Sequence, residues 1–214
     1  MQRLLAVNAS GRVTRSVTRS MVQRFVERWE TTHADGEVLH RDVGIESPPA
    51  VSEPWIAAAY SEPNKHDDRM REAIAVSDEL IDELLAADAV VIGAPIYNFG
   101  MPAQLKAWID QIVRVGRTFD IDPGRENPYV PLAGERPVTV LVSAGDIELH
   151  PGGTLASLNH MEPHLRTVLG FIGMTEVRFI RTGNEEFADA RHQKSVEAAM
   201  AEIDAIAASL PTEV

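Results

Sequence analysis

The chain has 214 residues, with 20 Lys and Arg against 32 Asp and Glu, and its net charge of −12 opposes binding to nucleic acid or to anionic membranes. It contains no cysteine, which excludes disulfides, thiol nucleophiles and thiolate metal sites. No apolar run reaches the roughly 20 residues that span a bilayer. We therefore expect a single cytoplasmic domain over residues 1–214, with no nucleic-acid or membrane partner.

The first part of the chain predicts a strand, a helix and a second strand. Residues 3–7, which are apolar after Arg3, predict the first strand, and residues 17–29 place apolar side chains at helical spacing. After a shorter strand at 37–41, four prolines between positions 48 and 63 argue for a surface segment without regular structure over its full length. Trp55 in that segment has no periodic apolar partner, so we expect it to pack against a second subunit.

The middle of the chain contains the most informative strand. Apolar positions at 70–85 predict a long helix, and the β-branched run 89–93 predicts a strand buried on both faces, as in parallel sheets. Ala94-Pro95 is expected to end that strand, because proline has no N–H to donate. Pro102 then starts a helix, and Gly116 is placed to end it in the left-handed conformation.

The last part adds two strands, two helices and a long insertion. Residues 119–135 are rich in turn formers and exceed the usual connection length, which favours a lid. Strands at 138–143 and 176–181 alternate with helices at 165–172 and 187–208. Five strands alternating with five helices predict an α/β protein with a doubly wound, five-stranded parallel sheet and helices on both faces.

Three loops follow strands at the sheet edge where open α/β proteins bind ligands. The first, residues 8–18, carries hydroxyl groups into a helix N-terminus, which favours an anion such as phosphate, and Arg12 and Arg15 add positive charge. A helix cap by Ser16 or Thr14 with nothing bound explains the same pattern equally well. The loop lacks the glycine-rich signatures of dinucleotide and nucleoside triphosphate sites.

The second and third loops predict a surface for a flat ring. Tyr97, Asn98 and Phe99 offer two aromatic rings beside backbone N–H groups. The segment Ser143-Ala144-Gly145-Asp146 is small enough for its backbone to approach a ligand closely. Because all three loops share one edge of the sheet, we predict a site for a mononucleotide with a planar heterocycle.

These motifs, with Leu105-Lys106 and the run T-V-L-G-F-I-G at 167–173, resemble the FMN-dependent NADH:quinone oxidoreductase and azoreductase family over nearly the whole chain. The resemblance implies a flavodoxin-like fold and a homodimer. It also implies a ping-pong transfer of two electrons from NADH or NADPH, through flavin N5, to quinones and aromatic azo compounds. Small aromatic electron acceptors are therefore the expected partners.

The same resemblance implies the residues of the FMN site. The phosphate would be held by Ser10, Ser16, Val17 and Thr18. The isoalloxazine ring would be bordered by Pro95, Ile96, Tyr97, Asn98 and Phe99. Its pyrimidine edge would contact Ser143, Ala144, Gly145 and Asp146. The backbone N–H of Asn98 would face flavin N5, which makes Asn98 the expected catalytic residue.

This chain departs from the family pattern in the third loop. Many relatives carry an arginine where this chain has Ala144, and Asp146 adds a negative charge. Since positive charge stabilises the anionic reduced flavin, we expect a relatively negative flavin potential. Phe119 and Tyr129 in the insertion are expected either to wall the acceptor pocket or to serve only as packing contacts.

Two alternatives use the same fold: a flavodoxin-type carrier of single electrons and an FMN-free scaffold domain. The long insertion and the Tyr-Asn-Phe turn favour the reductase. No metal site is expected, because the histidines lack ligand spacing, and Pro163 disturbs the alignment of His160 and His164. Glu185 and Glu186 match the first-turn acidity of a helix.

Overall fold

The structure is a computed structural model that describes residues 2–210. Its seven strands in this part of the chain are β1 (Arg3–Asn8), β2 (Glu37–Asp42), β3 (Ala89–Pro95), β4 (Phe119–Ile121), β5 (Tyr129–Pro131), β6 (Val138–Ser143) and β7 (Val177–Thr182). The six α-helices over the same residues are α1 (Val17–Thr32), α2 (Glu53–Ala59), α3 (Asp68–Ala86), α4 (Ala103–Ile112), α5 (Met161–Phe171) and α6 (Ala190–Ser209).

Five of the strands form a parallel sheet in the order β2-β1-β3-β6-β7. Strands β2 and β3 lie on opposite sides of β1 in the sheet. The connections that leave β1 and β3 therefore run in opposite directions, and their loops separate. This reversal creates a crevice at the carboxyl edge, as in other doubly wound sheets. The predicted fold class is confirmed.

Helices cover both faces of the sheet, because each has one apolar stripe to bury. On one face, α1 and α6 pack through residues such as Phe25, Trp29 and Ile203. On the other face, α3, α4 and α5 pack through residues such as Leu80 and Trp108. Strand β3 is buried along its whole length. The run that predicted a central strand therefore lies at the middle of the sheet.

The proline-rich segment contains a helix that the sequence did not predict. Ser52 caps α2 by accepting a hydrogen bond from the Trp55 N–H, and Pro54 occupies the first turn, where its missing N–H costs nothing. Trp55 is 7% exposed and packs against Ala58 and Ile74 of the same chain. The expectation that Trp55 packs against a second subunit was therefore wrong.

Three further features differ from the prediction. Strand β3 continues through Pro95, which pairs in register with Ser143. Gly116 has a positive φ of 74°, but α4 already ends at Ile112, so Gly116 serves the following turn instead. The insertion contains the antiparallel hairpin β4–β5. Among residues 2–210, no helix is long and apolar enough to cross a membrane.

Candidate functional site

A cleft of about 710 Å³ opens at the carboxyl edge of the sheet. Nine of the predicted site residues line it: Ser10, Ser16, Val17, Thr18, Pro95, Ile96, Tyr97, Ser143 and Gly145. The other lining residues are Arg12, Thr14, Arg15, Glu185, Glu186, Ala188 and His192. Four loops therefore build the cleft, and the fourth, between β7 and α6, was not predicted to take part.

Four predicted residues are adjacent to the cleft without lining it. Asn98 and Phe99 lie at the exposed tip of their turn. The side chain of Ala144 is buried, at 1% exposure. The Asp146 side chain accepts a hydrogen bond from the Glu148 N–H and caps a short 3₁₀ turn. Their assignment to the cofactor site stays a prediction.

The loop between β1 and α1 gathers three hydroxyl groups in buried positions. Ser10, Ser16 and Thr18 are 3%, 6% and 1% exposed. Ser16 is the N-cap of α1, accepting from the Arg19 N–H, and its Oγ lies 3.4 Å from Thr18 Oγ1. The first turn carries no acidic residue. The positive end of the helix dipole is therefore open to an anion beside these hydroxyls.

Arg19 fixes the shape of this loop, a role that was not predicted from the sequence. Its guanidinium donates to the Ser10 carbonyl at 2.8 Å and to the Arg12 carbonyl at 2.9 Å. It also pairs with Asp42 at the end of β2. The hydrogen bond with Asp42 is the largest cause of the raised pKa of Arg19. Periodicity could not reveal this pair, because 23 residues separate its members.

Gly44 allows the loop after β2 to pass against the Ser10 loop. A Cβ at position 44 would lie 2.2 Å from the Ser10 carbonyl oxygen. No side chain fits at that distance, so only glycine permits this approach.

The turn after β3 has an uncommon backbone. Tyr97 and Gly100 exchange two hydrogen bonds, of 2.9 and 3.0 Å, around Asn98 and Phe99, whose φ values are 47° and 69°. Two successive left-handed residues make a type I′ turn, which costs energy for a bulky residue such as phenylalanine. The His160 N–H donates to the Phe99 carbonyl at 2.9 Å, so the start of α5 fixes the turn.

The third and fourth loops are joined through Glu185. One of its carboxylate oxygens accepts from Ser143 Oγ at 2.7 Å and the other from Arg12 Nη1 at 2.6 Å. The interpretation of Glu185 and Glu186 as first-turn acids was wrong, because α6 begins at Ala190 with Asp189 as its cap. Both residues lie in the preceding loop and line the cleft.

A buried ionic cluster supports the loop between β6 and α5. Glu162 accepts from Arg181 Nη2 at 2.6 Å and from Asn159 Nδ2 at 3.1 Å, and His150 Nδ1 lies 3.8 Å away. Burial alone would raise the pKa of Glu162, but the contacts from His150, Arg181 and Asn159 lower it to about 2. Because α5 holds the Tyr97–Gly100 turn, this cluster supports the cleft from outside.

Phe119 and Tyr129 lie away from the cleft in this chain. Their rings form an aromatic cluster with Phe171, at centroid distances of 4.8 Å for Phe119 and 5.3 Å for Tyr129. Phe119 also borders a separate cavity of about 220 Å³ together with Trp55 and Tyr60. A role in the acceptor pocket stays a prediction. Over residues 2–210, no group of three or more His, Cys, Asp or Glu side chains is arranged to hold a metal ion.

The fold and the cleft together define a flavodoxin-like protein with a site of small-molecule size. The sequence matches the model of a family described by its flavodoxin-like fold, over residues 2–207. The FMN-dependent NADH:quinone oxidoreductase of Opitutus terrae is 50% identical over 206 residues, which are 96% of this chain and 97% of the relative. FMN-dependent NADH:quinone oxidoreductase 2 of Trichormus variabilis is 40% identical over 196 residues, 92% and 93% of the two chains. The chain therefore belongs to the FMN-dependent NADH:quinone oxidoreductase family.

Two solved structures share the fold. An azoreductase from Bacillus anthracis str. Sterne has a TM-score of 0.87 at 24% identity, covering 98% of this chain and 100% of that one. An FMN-dependent NADH-azoreductase from Bacillus anthracis str. Ames Ancestor, in complex with FMN, has a TM-score of 0.84 at 20% identity, covering 97% and 98%. At these identities the likeness establishes the fold.

Proposed function

We propose that this protein is an FMN-dependent NADH:quinone oxidoreductase, which transfers two electrons from NADH to quinones and aromatic azo compounds in a ping-pong reaction. The observation that carries the proposal is the cleft, which joins buried hydroxyls at a helix N-terminus to Pro95, Ile96 and Tyr97 at the end of β3. Its volume of about 710 Å³ lies within the usual range for small-molecule sites.

The first loop suits the phosphate of FMN. Ser10, Ser16 and Thr18 are buried hydroxyl residues that line the cleft, and Val17 and Thr18 are the first residues of α1. Backbone N–H groups at that position have no acceptor within the helix. We assign the phosphate to these four residues, with Arg12 and Arg15 adding positive charge at the rim.

The second and third loops suit the flavin ring. Pro95, Ile96 and Tyr97 border the cleft, and Ser143 and Gly145 lie on its other side. Neither hydrogen bond of the Tyr97–Gly100 turn uses the Asn98 N–H. We assign that N–H to flavin N5, with Asn98 and Phe99 completing the ring contacts and Ala144 and Asp146 supporting the pyrimidine edge.

Bound FMN would supply the redox chemistry, accepting a hydride at N5 and passing two electrons to the acceptor. The chain's own residues orient the ring and exclude water around it. A protein side chain that acts as acid or base is not required. NADPH is the alternative reductant, and steady-state kinetics with each nucleotide distinguishes it from NADH.

We further propose a cytoplasmic homodimer. The absence of cysteine suits a reducing compartment. Phe99, Leu155 and Leu158 are 48%, 38% and 39% exposed, and the bond from His160 to Phe99 brings their two segments together beside the cleft. An apolar surface of this kind is typical of an interface. Because Phe119 and Tyr129 lie outside this chain's cleft, their contact with an acceptor would require a second subunit.

Light scattering after size exclusion tests the assembly. Leu158→Asp should yield a monomer, because a carboxylate at an apolar interface loses its hydration. Ile45→Asp, at an exposed apolar residue after β2, is the matched control and should stay dimeric. A wild-type monomer, or equal behaviour of the two variants, contradicts the proposed dimer surface.

The activity is tested with purified protein loaded with FMN. We expect yellow protein that oxidises NADH only when a quinone or an azo dye is present, with parallel lines in double-reciprocal plots, as a ping-pong reaction requires. Protein that binds FMN but does not consume NADH with either acceptor would favour the electron carrier. Protein that binds no FMN would favour the scaffold.

A further inference from the structure

Glu185 places a fixed carboxylate in the wall of the cleft. Its two oxygens accept from Arg12 and Ser143, at 2.6 and 2.7 Å, and its side chain is 30% exposed. Ser143 itself is 3% exposed. The carboxylate is therefore held against the buried end of β6, at the boundary between protein and cleft.

The backbone also fixes this position. The Glu185 N–H donates to the Ala144 carbonyl at 3.4 Å, and the Glu186 N–H donates to the Gly145 carbonyl at 3.2 Å. A Cβ at position 145 would lie 2.4 Å from the Glu186 carboxylate, so a side chain there would displace the end of Glu186. The third and fourth loops consequently pack as one unit, joined by these backbone hydrogen bonds and by the bond from Ser143 to Glu185.

The other charged groups bordering the cleft come from three elements. Arg12 and Arg15 belong to the first loop, Glu186 to the fourth, and the titratable His192 to α6. The Arg12 side chain is 58% exposed, so solvent screens its charge more strongly than that of Glu185. The Arg12 guanidinium, 2.6 Å from Glu185, therefore offsets only part of the negative charge on the side of the cleft next to Ser143.

We propose that Glu185 lowers the redox potential of the flavin bound in this cleft. The inference rests on the proposed function, in which the ring lies against the third loop. Two-electron reduction with uptake of one proton gives an anionic flavin, and uptake of a second proton gives the neutral form. A nearby carboxylate opposes the anion. The sequence had pointed to Ala144 and Asp146 for this effect, but neither lines the cleft, whereas Glu185 does.

The first test is a redox titration of FMN-loaded wild type and Glu185→Gln. Glutamine keeps the shape and an acceptor for Ser143 but removes the charge, so the potential should rise. We expect the ratio of reduced to oxidised flavin at a fixed potential to increase about tenfold, which is about 30 mV for a two-electron couple. Glu185→Asp retains the charge and should stay near wild type.

A charge-matched control separates the local effect from net charge. Glu30→Gln removes one negative charge from an exposed residue in the last turn of α1, at the opposite end of that helix from the cleft. Its potential should equal that of wild type. A rise in Glu30→Gln as large as that in Glu185→Gln would overturn the inference.

The second test follows the potential against pH. A plot of potential against pH changes slope at the pH above which reduction takes up one proton instead of two. That pH reports the pKa at which the reduced flavin becomes anionic. Removing the carboxylate should move that pH lower. If Glu185→Gln binds FMN with an unchanged potential and an unchanged slope, Glu185 only holds the loops and the inference is wrong. If wild-type protein binds no FMN, both the proposed function and this inference are wrong.

Discussion

Arg19 Nη2 donates a hydrogen bond of 2.8 Å to the carbonyl oxygen of Ser10, which joins the first turn of α1 to the loop in front of it. The same guanidinium reaches the Arg12 carbonyl and Asp42. One planar group thus sets the shape of the whole first loop. A lysine cannot make these contacts together, because its ammonium lacks the forked geometry.

Arg19→Lys is therefore expected to weaken FMN binding about tenfold, a loss of about 1.4 kcal/mol. Quenching of flavin fluorescence measures the affinity. Arg24→Lys is the matched control, since Arg24 lies on the same helix and pairs with Asp204 through two bonds of 2.7 Å without touching the loop. Equal affinities of the two variants would show that Arg19 does not shape the site.

Thr18→Val tests the assignment of the phosphate. The substitution removes one buried hydroxyl at nearly constant volume, and a hydrogen bond to a charged group contributes about 1.5–3 kcal/mol. The affinity for FMN should fall about tenfold or more. The affinity for riboflavin, which lacks the phosphate group, should not change. Thr32→Val at the other end of α1 is the control. Equal losses of affinity for FMN and riboflavin would show that the phosphate does not contact Thr18.

Glu162 links stability to pH. Its pKa is lowered from 4.5 to about 2, so the carboxylate contributes stability above its unfolded pKa and loses it as pH falls toward 2. The shift corresponds to about 3 kcal/mol at neutral pH. Urea unfolding should show Glu162→Gln destabilised at pH 7, with the difference from wild type shrinking between pH 4.5 and pH 2. A difference independent of pH would contradict this linkage.

The sequence predicted the parts of the fold that depend on local pattern. The β-branched run in β3 indicated a buried parallel strand, and the apolar spacing of α1 and α4 indicated which faces they bury. Three cleft loops followed from the rule that ligands bind at carboxyl ends of strands. The features that the sequence did not predict depend on pairs of residues that are far apart in the chain. Arg12 and Glu185 lie 173 residues apart, and no periodicity connects them.

The same limit explains why the partner of Trp55 was not predicted, since that partner lies 56 residues away in the chain. Its Nε1–H donates to Gln111 Oε1 at 2.8 Å inside the chain, and Gln111 is fully buried. Trp55→Phe leaves that oxygen without its donor, which should cost about 1–3 kcal/mol in urea unfolding. Tyr60→Phe, at a residue that is 69% exposed in the same segment, should cost much less. If Trp55 instead packed between subunits, the loss in Trp55→Phe would vary with protein concentration, and we expect it to stay constant.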